Sequence, residues 1–225
     1  MNTAPRPEDT MTPRTLWIFF ALAFGLTWGI AALLILFPAP VTAIFGELGY
    51  TNPLFILAVY SPGFAGLFLV WRHAGLAGVA RFLRRLTRAR MPAGWWLLLV
   101  LGIPGAFYLG SAIRGNLGEP FPFTPWYGVL PALVTALFIG PIEEFGWRGL
   151  ALPLLQRRLA PIWAGLVLGV VWAAWHIPAF FLSGAPQSQW SFPAFFLGVV
   201  ALSVILTPMF NAARGSLLIP ILFHF

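Results

Sequence analysis

The chain has no cysteine and no lysine, and charge of either sign is scarce. Without cysteine there is no disulfide framework, no thiol nucleophile and no cysteine metal site. Without lysine, Ser216 has no partner for a Ser-Lys dyad. Charged residues make up 8% of the 225 positions and hydrophobic ones 60%, against roughly 25% charged in a soluble domain. The windows 15–46, 48–71, 91–113, 120–142 and 159–213 carry no formal charge at all. That pattern excludes a water-soluble globular domain. A formal charge of +7 suggests nucleic acid at first sight. The arginines, however, sit between hydrophobic runs, where membrane topology accounts for them, and no nucleic-acid partner is expected.

What is present is apolar sequence long enough to span a bilayer, which takes about 20 residues per helix. Only helices or closed barrels satisfy the backbone in lipid. The expected fold is therefore all-α, a polytopic transmembrane helix bundle around a buried polar chamber. About seven spans are read at 15–37, 53–71, 92–112, 126–158, 161–182, 191–210 and 214–225. The last stops at Phe225 without a polar flank, so the chain is expected to end inside a helix, either truncated before an eighth span or a shortened natural version. Residues 1–14 read as a cytosolic tail. The run after them has no small-residue cleavage site, so it reads as a retained span rather than a signal peptide. Residues 15–127 form an N-terminal transmembrane region with a basic loop at 72–91, and 128–225 form the chemically informative region.

Arginine bias sets the orientation. With the N-terminus in the cytoplasm, Arg6, Arg14, Arg72, Arg81, Arg84, Arg85, Arg88, Arg90, Arg157, Arg158 and Arg214 all fall inside. Only Arg114 falls outside, and Arg148 lies within a span. The stretch 79–90 reads either as a basic amphipathic helix on the inner leaflet or as a plain topogenic loop. His73 reads as solvated.

The stretch Gly140-Pro-Ile-Glu-Glu-Phe-Gly-Trp-Arg-Gly149 puts two carboxylates and an arginine into a hydrophobic run. Ionisable residues in a span are costly and mark function by default. Either the span ends near 142 and the glutamates lie in a loop, or the helix runs on to Arg157. Residues 149–156 remain apolar, which favours the second. Gly140-Pro141 and Gly146 would kink it there. Glu143 then lies about 14 residues, roughly 21 Å, from Arg157. His176 lies about 15 residues past Pro161 and His224 ten past Arg214, roughly 22 and 15 Å. Three helices thus bring ionisable groups to similar depths. Glu144 and Arg148, at i,i+4, are expected to pair, which leaves Glu143 as general base on a water. His176 would share or orient that water, and His224 would stabilise an oxyanion. The plainer readings are a polar clamp for the Glu-Glu-Arg cluster, a hydrogen-bonded core histidine for His176, and packing for Trp172 and Trp175.

The pattern Glu143-Glu144-x-x-x-Arg148, Trp172-x-x-x-His176, and Asn211 through Gly215-Ser216-Leu217 to His224 resembles the CAAX prenyl endopeptidase type II and bacteriocin-processing family, also called the Abi family, of intramembrane proteases. The resemblance covers about residues 128–225. It implies Glu143 as catalytic base, Glu144 as its neighbouring carboxylate, His176 in water activation and His224 at the oxyanion, with Arg148, Trp172 and Asn211 in support. The family pattern has Phe where Trp172 stands. Its last small polar residue would fall at position 228, beyond Phe225.

The expected function is an intramembrane endopeptidase that hydrolyses a peptide bond of a membrane-embedded or lipid-associated substrate by a Glu/His-activated water. The composition fits a bacterium of high genomic GC, hence a bacterial plasma membrane. The alternatives are a non-catalytic binding, immunity or scaffold protein of the same fold, and a proton-coupled transporter, though no second copy of the Glu-Glu motif is present. No cofactor is expected. Zinc stays open, with Glu143, His176 and His224 as candidate ligands, although no His-Glu-x-x-His sequence occurs.

Overall fold

A computed structural model describes residues 7–119 and 124–224. Residues 1–6 of the tail, 120–123 and Phe225 lie outside the described residues. Every regular element among the described residues is helical. The main ones are α1 (Pro13–Leu36), α2 (Pro38–Phe45), α3 (Pro53–Leu83), α4 (Ala93–Leu97), α5 (Ile103–Ile113), α6 (Val129–Ile139), α7 (Glu144–Gly146), α8 (Leu152–Gln156), α9 (Pro161–Trp175), α10 (Phe192–Ala212) and α11 (Leu218–His224). Five segments are long and apolar enough to cross a membrane: Pro13–Leu36, Pro53–Thr87, Ala93–Ile113, Pro161–Phe181 and Phe192–Ala212. The expected span 126–158 is present as a broken helical series from Trp126 to Gln156, and the expected 214–225 as the short α11.

Helix starts follow from proline. α1, α2, α3 and α9 each carry Pro in the first turn, where a missing N–H deprives the helix of nothing. Buried Asn52 caps α3 by accepting from the Leu54 and Phe55 amides at 2.9 and 3.2 Å. Its amide nitrogen donates to the Phe45, Gly46 and Glu47 carbonyls. One side chain therefore fixes both the helix start and the loop that precedes it.

Small residues let the helices approach closely, as interfaces in lipid require. A Cβ on Gly169 would stand 2.9 Å from the Val200 Cα, and Ser203 Oγ donates to the Gly165 carbonyl at 2.9 Å, which joins α9 to α10. A Cβ on Gly146 would collide with the Pro62 carbonyl oxygen, so α3 lies directly against the glutamate-bearing segment.

Two expectations are corrected. The second span does not stop at 71. It continues to Leu83 across a break at Gly75 (φ 62°), a conformation open to glycine. The stretch 79–90 is not one amphipathic helix. It is the end of α3, a 3-10 turn at Arg84–Thr87 and extended chain beyond. Nor is every arginine in it solvated, because Arg85 is buried. Its guanidinium pairs with Glu8 at 2.6 Å and donates to the Gly149 carbonyl at 3.0 Å and the Gly215 carbonyl at 2.7 Å. The N-terminal segment is therefore docked from residue 7 onward. Arg157 also donates to the Met11 carbonyl. His73 is exposed, with Nε2 2.7 Å from Thr10 Oγ1.

Candidate active site

The site segment departs from a regular helix where the sequence has Gly140-Pro141. Pro141–Glu143 is a 3-10 turn, α7 follows, and Trp147–Ala151 is a π-helical turn, a feature often found at functional sites. The chain nevertheless stays helical through Gln156, so the glutamates are in no mobile loop. Glu143, Glu144 and Arg148 are all buried.

The two adjacent carboxylates have different partners. Glu144 Oε1 accepts from Arg148 Nη1 at 2.9 Å and stands 2.9 Å from His224 Nδ1. The Arg148 guanidinium lies over the Trp172 ring, 4.3 Å from its centroid, a cation–π contact in a desolvated place. Breaking such a buried pair strands a charge, so Glu144 is held in an anchoring position. Among the described residues no ion pair joins Glu143 to a cation within 4 Å. Glu143 Oε2 accepts two indole N–H bonds, from Trp172 at 3.0 Å and Trp147 at 3.2 Å.

The imidazoles are oriented as well. His176 caps the end of α9, with Nδ1 2.9 Å from the Trp172 carbonyl. A carbonyl only accepts, so Nδ1 carries the hydrogen, and Nε2 of the neutral ring presents a lone pair. Trp175 and Phe195 pack edge-on to this ring at 4.6 and 5.0 Å. His224 Nδ1 faces the Glu144 carboxylate, which turns Nε2 toward Gly140. A Cβ at position 140 would lie 2.8 Å from that nitrogen. Glycine at 140 therefore clears the space for His224.

Glu143, His176 and His224 line one cavity of about 210 Å³, together with Thr27, Tyr50, Trp175 and Gln187. A second, largely apolar cavity of about 700 Å³ lies on the other side of the histidines, between α5 and α10, and is lined by Glu144, Trp172, His176 and His224. Groups at similar depths on three helices thus meet at one cavity. Asn211 does not join it: it is exposed in the last turn of α10. Among the described residues no three His, Asp or Glu side chains are grouped closely enough to hold a metal ion.

Sequence reasoning missed several contributors. Trp147 could have been found, since it lies one helical turn after Glu143. Trp172 was placed in support through the motif, and its indole N–H is what reaches Glu143. Thr27, Tyr50 and Gln187 are uncharged and far apart in sequence, and left no signal. Thr27 accepts from Trp175 Nε1 at 3.0 Å and donates to the Ala58 carbonyl at 2.8 Å, tying α1, α3 and α9 together behind the cavity.

Residues 124–225 match the family model described as type II CAAX prenyl endopeptidase Rce1-like. CAAX prenyl protease 2 of Methanococcus maripaludis is 33% identical over 141 residues, which cover 60% of this chain and 50% of that protein. The chain thus spans about half the length of the curated relative it matches. All three motifs lie within the matched region. With five apolar helices of spanning length, the chain is an integral membrane protein.

Proposed function

We propose that the protein is an intramembrane endopeptidase in which Glu143 activates a water for attack on a peptide carbonyl. The observation that carries this reading is the meeting of Glu143, His176 and His224 on one cavity, each fixed by a partner on its far side. A water between Glu143 and His176 Nε2 donates one proton to each, which leaves an oxygen lone pair for the carbonyl. Glu143 takes the proton as the carbon–oxygen bond forms. The imidazole of His224, with the Glu144 carboxylate at Nδ1 as counter-charge, donates from Nε2 to the tetrahedral oxyanion. Collapse breaks the carbon–nitrogen bond, and the proton held by Glu143 passes to the departing amine. Arg148 and Trp172 keep Glu144 and Glu143 in place.

Zinc fits the donor set in one respect: each histidine has its Nδ1 engaged, as metal-ligating histidines do. Direct activation of water by Glu143 is the simpler reading, and a chelator then leaves the rate unchanged. The substrate is a membrane-associated peptide or protein, and the setting a bacterial plasma membrane with the N-terminus in the cytoplasm. The test compares membrane proteomes of wild-type and Glu143→Gln cells, then assays the purified proteins on the substrate found. Glu143→Gln should lose about 10²–10⁴-fold in rate with unchanged thermal unfolding. Cleavage at the wild-type rate would remove Glu143 from the chemistry and favour a binding or immunity role.

A further inference from the structure

A groove of about 590 Å³ runs along the outside of the bundle where three segments meet. Its walls are Trp95 and Leu98 early in Ala93–Ile113, Pro161 and Ile162 at the start of α9, and Ile205 and Pro208 near the end of α10. None of these residues lines the cavities at Glu143 and the histidines. The floor is closed by Leu206 and Met209, buried on α10, against which Trp95 and Leu98 pack. Among the described residues that line the groove none is charged, and only Trp95 has a side chain able to hydrogen-bond. Ile162 and Ile205 are exposed, so the groove opens outward to the membrane.

One end of this groove lies among arginines. Arg90 stands five residues before Trp95, Arg158 three before Pro161, and Arg214 six after Pro208. All three are exposed. Arg88 Nη1 donates to the Arg214 carbonyl at 3.4 Å, and Ser216 Oγ donates to the Arg88 carbonyl. The chain leading into α4 is thereby fastened to the end of α10. No ion pair joins Arg90 or Arg158 to a carboxylate among the described residues. Val204, Pro208 and Asn211 follow one another at i, i+4 and i+7 on α10. The exposed Asn211 therefore continues that wall of the groove toward the arginines.

An apolar groove that ends among arginines matches the two halves of one kind of molecule. We propose that it binds an anionic phospholipid, with an acyl chain along Trp95, Ile162 and Ile205, the phosphate between Arg90 and Arg158, and the ester region beside Asn211. Guanidinium groups take phosphate oxygens through paired N–H donors. Tryptophan is favoured at headgroup level, and basic pockets between spans hold anionic headgroups. A zwitterionic lipid fits the apolar walls equally well but brings its own cation to the arginines, so charge does the selecting. Because the groove is shared by three segments, its occupant holds them together and stabilises the fold. The assignment does not rest on the endopeptidase reading.

The test titrates the purified full chain in detergent with phosphatidylglycerol or with phosphatidylcholine of the same acyl chains. Native mass spectrometry counts the lipid retained, and thermal unfolding is followed in parallel. Wild type should retain phosphatidylglycerol in preference and unfold at a higher temperature with it than with phosphatidylcholine. Arg90→Gln and Arg158→Gln should each weaken that retention about fivefold. Ile205→Trp, which fills the groove and leaves the charge alone, should abolish it. Arg14→Gln and Arg72→Gln, on α1 and α3, change exposed arginines of segments that do not line the groove and should leave retention as it is. Equal retention of the two lipids overturns the proposal, because the arginines then select nothing. So does an equal loss in the α1 and α3 variants, which would make the attraction a property of the protein's overall charge. Unchanged retention in Ile205→Trp overturns it as well, since the groove then takes no part.

Discussion

The segments Ala93–Ile113 and Pro161–Phe181 have the same length, 21 residues, and nearly the same mean hydropathy, 1.8 and 1.7, yet in their most apolar 18-residue stretches none of the first is buried and 39% of the second is. Both contain glycines that could admit a neighbour. Around Gly105 and Gly110 no atom lies within 4 Å of where a Cβ would stand, whereas Gly165 and Gly169 sit against Thr207, Ser203 and Val200. Hydropathy therefore identifies a helix that can cross a membrane without saying whether it helps build the site. What separates the two is complementary detail: a hydroxyl that meets a carbonyl across the contact, and at the end of the second segment an indole and an imidazole turned inward.

Substitutions in the two segments sharpen that contrast. The largest effect is expected from His176→Ala, which removes the lone pair that shares the water and should slow cleavage by about 10²–10⁴-fold with thermal unfolding unchanged. Trp172→Phe keeps the ring against Arg148 but deletes one N–H donor to Glu143. A hydrogen bond to a charged group contributes about 1.5–3 kcal/mol, so kcat should fall about ten- to hundredfold while KM holds. A raised KM with kcat unchanged would assign Trp172 to substrate binding instead. Gly169→Leu drives a side chain into α10 and should destabilise the protein by about 1–3 kcal/mol, measured by unfolding in detergent. Gly105→Leu, facing open space, should stay within about 0.5 kcal/mol of wild type. Equal losses for the two glycines would break the comparison.

The sequence made the helical class and most of the site legible for one reason: an ionisable residue in an apolar run stands out. Glu143, Glu144, Arg148, His176 and His224 stand out as candidates in that way, and the i,i+4 pairing of Glu144 with Arg148 follows from helix geometry. Uncharged contributors stayed hidden. Thr27, Tyr50 and Gln187 join the cavity only because α1, the loop before α3 and the loop after α9 meet in space, and no local pattern encodes such a meeting. Charge misled where it was read as a statement about side alone. Arg85 counts among the arginines of one face, yet its side chain is interior. Asn211 was drawn in by its place near a motif, while the last turn of α10 leaves it exposed.

The interior position of Arg85 bears on how the protein is made. One guanidinium fastens Glu8 from before the first span, Gly149 just after the Arg148 of the site, and Gly215 just ahead of the helix that ends in His224. Three stretches of chain synthesised at very different times must therefore arrive on the same side of the bilayer before this bond network can close. A first span threaded backwards would put Glu8 across the membrane from Arg85, and removing one partner of a buried pair carries a penalty of about 3–5 kcal/mol. Correct insertion and the assembly of the candidate site are in that sense certified by the same side chain.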